Sequence, residues 1–193
     1  MTVAAEPTVR RWTREEYYRM GEMGLFDGQR VELIDGEIIQ MAPQKDVHSA
    51  VVVLVHNAIS TAFGEGYFAR MQLPLQLPDD SEPEPDVSVV RGSPRDYIGT
   101  GHPHEPLLVV EVSDTTLLFD QRVKAALYAS ANLQEYWIVN LVADHVEVHR
   151  DPVPDASAWR KSSYKTVRIS RRGQDIAPLS APQARVRVDD LLP

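Results

Sequence analysis

No cysteine occurs among the 193 residues. That excludes a disulfide framework, a thiolate nucleophile and any thiolate zinc site, and it suits a reducing compartment. Long apolar runs are equally scarce. The longest, Ala50 to Val55, falls far short of the roughly 20 residues a membrane-spanning helix needs, so no membrane span is expected. Basic charge is in deficit, with 20 Lys and Arg against 28 Asp and Glu and a formal net charge of -8. This opposes broad attraction to polyanions, because nucleic-acid binders gain affinity by neutralising phosphates. Carboxylates gathered to bind divalent cations would contribute that sign by design. The leading segment, Met1 to Pro7, has neither the basic stretch nor the apolar core of a secretory signal, and a cytoplasmic location is the expectation.

What remains describes a folded chain. Hydrophobic residues at 43% and charged residues at 25% lie in the globular range, and the length fits one domain over residues 1–193. Thr13-Arg14-Glu15-Glu16 has the capping-box pattern, with Trp12 and Tyr17 placed for a staple, and predicts a short helix to about Gly21. Arg30 to Met41 alternates apolar residues on either side of Asp35-Gly36, the signature of a tight hairpin. Val47 to Phe63 repeats apolar residues at helical steps until Gly64 and Gly66. Tyr67 to Leu77 reads as a strand, and its Pro74 points to an edge or bulge.

Pro85 to Val90 and Leu107 to Val112 read as central strands, and Asp120 to Asn132 as a second long helix. Glu135 to Leu141 and His145 to Arg150 form a hairpin around Ala143-Asp144, with Tyr164 to Ile169 and Val186 to Leu192 as further strand pieces. Strands interleaved with two helices predict an α/β or α+β mixed sheet with flanking helices.

Two carboxylates stand where strands begin and end. Asp86 opens one strand, and Glu111 lies near the end of the next, among residues that read as buried. A buried ionised carboxylate requires a cation, a proton or several donors. A divalent ion shared with Asp86 answers that requirement. Mg2+ or Mn2+ accepts two carboxylates, a carbonyl such as that of Val112, water and substrate phosphate. Lys124, on the following helix, is the candidate to orient water. The bland alternatives are a solvated Asp86, a Glu111 satisfied by an arginine and a Lys124 bound to Asp120 across one helical turn. Only four of the twenty basic residues are lysine, which makes Lys124 mildly unexpected.

Pro85-Asp86 followed by Glu111-Val112-Ser113 resembles the PD-(D/E)XK nuclease motif with serine in the lysine position. Strand alternation puts residue 113 on the face of Glu111, so a replacement lysine must enter from another element. Within that superfamily the segments VELIDGEIIQM, PDVSVV, LLVVEVSD, DQRVKAALYA and LQEYWIVN resemble the Uma-two family of restriction-endonuclease-like proteins. The resemblance implies a restriction-endonuclease-like core, metal ligands Asp86 and Glu111, a relocated Lys124 and an accessory acid, Glu32. The implied activity is metal-dependent endonucleolytic hydrolysis of DNA. The alternative is a non-catalytic nucleic-acid-binding or protein-interaction module on a degenerate nuclease fold. Terminal strand edges allow a homodimer.

Other candidates receive bland assignments. Glu32 could equally be an outward strand residue. Glu82 and Glu84 lie in a Pro-rich loop and are expected to be solvated, His48 to cap its helix or touch a phosphate, and Tyr128 to pack in the core.

Overall fold

The computed structural model describes residues 8–193; the Met1 to Pro7 segment lies outside them. The chain forms two compact units. One runs to Pro43 and includes Gln76–Pro83, while the other holds Gln44–Leu75 and Glu84–Pro193.

In the first unit, helix α1 (Arg14–Glu22) starts with the predicted capping box between Thr13 and Glu16. The Thr13 hydroxyl accepts from the Glu16 N–H at 3.2 Å, and Glu16 Oε2 accepts from the Thr13 N–H at 3.0 Å. Strands β1 (Val31–Ile34) and β2 (Glu37–Gln40) form the predicted hairpin. Asp35 and Gly36 carry φ of 52° and 70°, the left-handed pair such a turn demands. Gly36 has a second reason to be glycine, since an added Cβ would meet the Cβ of Arg11 at 2.7 Å. Glu82 corrects the solvated-loop expectation. It is 2% exposed, pairs with Arg14 Nε at 2.9 Å and accepts from the Tyr18 hydroxyl.

The second unit is built on a six-stranded mixed sheet ordered β3-β4-β5-β6-β7-β8. Its strands are β3 (Tyr67–Met71), β4 (Val87–Arg91), β5 (Leu108–Ser113), β6 (Glu135–Asn140), β7 (His145–Pro154) and β8 (Ser162–Arg171). The β5–β6 pair is parallel and the other pairs are antiparallel. Strand β3 stops at Met71, before Pro74, and takes the edge position that the proline implied. Helix α2 (Asp46–Phe63) covers one face. Its Val51, Val55 and Ile59 pack with Val110, Val112, Trp137, Val139 and Val148 in the core. By length and composition this helix alone among the described residues could cross a membrane, but its buried stripe is core-forming here.

The opposite face takes alternate residues and is polar. Glu111 and Ser113 point there, as do Asn140, Glu147 and His149, all buried. The helix above them departs from expectation. In place of one long helix over Asp120 to Asn132, α3 (Leu117–Phe119) leads through a π-turn at Asp120–Lys124 into α4 (Ala125–Ser130). The tail also differs. Strands β9 (Asp175–Ile176) and β10 (Val186–Arg187) are two residues each, and Val188–Asp190 is a 3-10 turn. There Val188, Leu191 and Leu192 join the apolar core.

Candidate active site

The register Val87↔Val110, carried one residue outward, sets Asp86 opposite Glu111. Each acid is tied to the backbone of the other's strand. Asp86 N–H donates to Glu111 Oε2 at 3.1 Å, and Val112 N–H donates to Asp86 Oδ2 at 2.9 Å. Both carboxylates are buried, at 7% and 5% exposure. Each main-chain donor meets one side-chain oxygen, so the strand pairing that forms the sheet also orients the acids.

Lys124 enters this pair from above. Its Nζ lies 3.2 Å from Glu111 Oε1, and the Tyr128 hydroxyl donates to the same oxygen at 2.8 Å. Lys124 is 1% exposed, which departs from the exposed-helix alternative. Its anticipated partner, Asp120, instead accepts from the Ser113 hydroxyl at 2.6 Å and from Thr116 at 2.7 Å. The π-turn between Asp120 and Lys124 gives the reason. One added residue in a helical turn rotates the residues beyond it by about 100°, so the two side chains do not stack as they would in a regular α-helix. Serine at 113 therefore holds the acid that begins the turn, and the lysine ends it at Glu111.

The surroundings set the protonation of this layer. Burial pushes the Asp120 carboxyl up, against hydrogen bonds from Ser113 and Thr116 that pull it down. Burial likewise drives the Tyr136 phenol well above its ordinary range, and its hydroxyl donates to the Asp120 carbonyl at 3.2 Å. Farther along the sheet, Glu147 accepts from Asn140 at 2.8 Å and Gln121 at 2.9 Å.

Two further side chains reach Asp86 Oδ1. His48 Nε2, from the first turn of α2, is 3.3 Å away, and the Gln72 amide donates from 3.2 Å. His48 thus neighbours an acid and not only its helix end. Tyr128 is core-packed as expected, but its hydroxyl also belongs to the site; its spacing of four residues from Lys124 carried that signal. Gln72 has no comparable signal, since its position depends on how the chain leaves β3. Glu32 lies in the first unit on β1, opposite Ile39, and is 2% exposed, which departs from the outward-residue alternative.

Among the described residues no group of three or more His, Cys, Asp or Glu is arranged to hold a metal ion. The second unit offers a carboxylate pair. Hard cations such as magnesium are commonly held by one or two carboxylates, with water and substrate phosphate completing the shell, and here the oxygens of Asp86 and Glu111 already accept from protein donors.

A family model, Uma2, described as "Putative restriction endonuclease", matches residues 14–188. A crystal structure described as a putative nuclease belonging to DUF820, from Anabaena variabilis, superposes with a TM-score of 0.65. It shares 18% identity, over 93% of this chain and 96% of that one, a likeness that concerns the fold. No curated protein matches the chain.

Proposed function

The chain belongs to the Uma2 family, described as "Putative restriction endonuclease", and from that premise we propose that it hydrolyses phosphodiester bonds of DNA with a divalent metal ion. The observation that carries the reading is the buried Asp86–Glu111–Lys124 cluster, with Nζ at 3.2 Å from Glu111 Oε1. Asp86 and Glu111 would hold Mg2+ or Mn2+, which supplies activated water and charge stabilisation at the phosphate. Glu111 is the carboxylate partner of the buried Lys124 ammonium. That ammonium can donate to the attacking water or to a non-bridging phosphate oxygen. Tyr128 holds Glu111 Oε1 in place, while Gln72 and His48 orient Asp86. Glu32 is retained as the accessory acid the family resemblance implies, and single-domain organisation over 1–193 is retained on the span of the family match.

The test is cleavage of supercoiled and linear DNA by the full chain in magnesium or manganese. Asp86→Ala and Lys124→Ala should each lower the rate about 100-fold or more, and Glu32→Gln should lower it less. Wild-type rates in the Asp86 and Lys124 variants would overturn the assignment. The rival reading, a binding module without turnover, draws on the net charge of -8. Calorimetry separates the two, because the module predicts no heat of metal binding that depends on Glu111.

A further inference from the structure

The π-turn presents a second face. While Lys124 turns inward to Glu111, Gln121 and Arg122 line a cavity of about 490 Å³ bounded by α4, β7, β8 and the turn before β8. That size lies within the range of small-ligand sites, about 300–1,000 Å³. The cavity has an aromatic wall, an apolar side and a cation. Trp159 is 38% exposed at its rim. Ala125 and Val167 supply apolar surface, and buried His149 lies on the floor with Nε2 turned to Glu147 at 3.5 Å. Arg122 is exposed and makes no ion pair among the described residues.

The turn that presents Trp159 is held under strain. Arg160 and Lys161 are consecutive non-glycine residues with φ of 57° and 52°, a conformation unfavourable for side chains with a Cβ. Such strain persists only where surrounding contacts enforce it, and it concentrates at ligand clamps and functional sites. The contacts are present. Arg160 Nε donates to Ser130 Oγ of α4 at 2.8 Å, and the Asp155 N–H donates to the Lys161 carbonyl at 2.8 Å. The Arg160 guanidinium also stands 5.5 Å from the Trp159 ring centroid. The nearby acid, Asp155, directs its carboxylate to the Ser157 hydroxyl at 2.6 Å.

We propose that this cleft binds a nucleoside monophosphate, with the base stacked on Trp159 and the phosphate on Arg122. Aromatic side chains accept any base through its π-face, and an unpaired guanidinium suits phosphate oxygens bidentately. The Ser162 hydroxyl, also on the lining, is a donor and acceptor for the base edge. The inference does not draw on hydrolysis at the acid pair, neither member of which lines the cavity.

The experiment titrates dAMP into the full-length protein, monitoring tryptophan emission and calorimetric heat. Saturable binding is expected, lost in Trp159→Ala, retained in Trp159→Phe as read by heat, and weakened about tenfold in Arg122→Ala, as for loss of one charge-assisted contact. Deoxyadenosine should bind more weakly than dAMP and still require Trp159, while inorganic phosphate alone should depend on Arg122. Asp86→Ala should bind dAMP as the wild type does, even if it has lost cleavage. Absence of saturable binding at millimolar dAMP would overturn the site. So would binding unchanged in both Trp159→Ala and Arg122→Ala, or binding lost in Asp86→Ala and kept in Trp159→Ala, which would place the nucleotide at the acids. Arg122→Glu, an exposed change, keeps the test decisive if Trp159→Ala does not fold.

Discussion

A lysine at 1% exposure is tolerable only beside an acceptor that keeps its charge compensated, and Glu111 provides one at 3.2 Å. Breaking a buried ion pair by removing one partner costs about 3–5 kcal/mol. Glu111→Gln and Lys124→Met should therefore each destabilise strongly, and the double variant should lose less than the sum of the two. Urea unfolding of the four proteins checks this, and strict additivity would show that the pair is not coupled. Asp120 obeys a different rule. Its carboxyl is pushed up by burial while Ser113 and Thr116 donate to it, so an amide that accepts the same bonds without charge is tolerated. Asp120→Asn should leave stability near wild type, whereas Asp120→Ala strands two hydroxyls and should cost about 1–3 kcal/mol. Thermal melts of the two variants distinguish acceptor geometry from charge.

At the scale of the element, the decisive feature is the π-turn at Asp120–Lys124. Both of its ends are anchored to β5, Asp120 to Ser113 and Lys124 to Glu111. A regular α-helix offset by one residue could satisfy only one of those anchors, because the step between neighbours is about 100°. Deleting Val123 should restore regular helical register while separating Lys124 from Glu111 or Asp120 from Ser113. DNA cleavage should then fall to the level of Lys124→Ala while helical circular dichroism is retained. Cleavage at the wild-type rate in a folded deletion variant would show that the turn does not position the lysine. The capping box of α1 and the hairpin of β1 and β2 behave differently, because residues a few positions apart already carry their signals. Thr13 with Glu16 and Asp35 with Gly36 are local signals, and distant chain adds to both, since the Arg14 N–H donates to Asp80 Oδ1 at 3.0 Å and the Asp35 N–H to Ser81 Oγ at 2.8 Å.

At the scale of the whole molecule, the sheet of the second unit separates two kinds of interior. Its α2 face is apolar, and its α3–α4 face is a buried hydrogen-bonded layer in which Glu111, Asp120 and Glu147 all lie. Polar layers of this sort are sensitive to protonation, and Glu147 marks the pH window. Burial alone would raise its carboxyl, but hydrogen bonds from His149, Asn140 and Gln121 outweigh that and hold it at about 2, below the ordinary 4.5. A folded-state value below the unfolded one contributes stability that is complete above about pH 4.5 and is lost as pH falls toward 2. Wild-type stability should decline through that interval, and Glu147→Gln should flatten the decline while starting from a lower plateau. Denaturant midpoints across pH 2–6 measure both effects; equal slopes in the two proteins would remove Glu147 as a contributor.

The division between features legible in the chain and features hidden in it tracks the range of the interactions. Alternation identified the central strands around Asp86 and Glu111, helical spacing identified α2, and Asp35-Gly36 identified its hairpin, because each depends on neighbours a few residues apart. Ser113 beside Glu111 implied a lysine from elsewhere, and the helical position of Lys124 made it a candidate. The sequence could not decide between Glu111 and Asp120 as the partner of that lysine. The tertiary structure did, through a π-turn whose extra residue is favoured only when both ends bind β5. Gln72 and Glu82 were hidden for the same reason. Their partners lie 14 and 68 residues away, at Asp86 and Arg14, and only the folded chain brings them within reach.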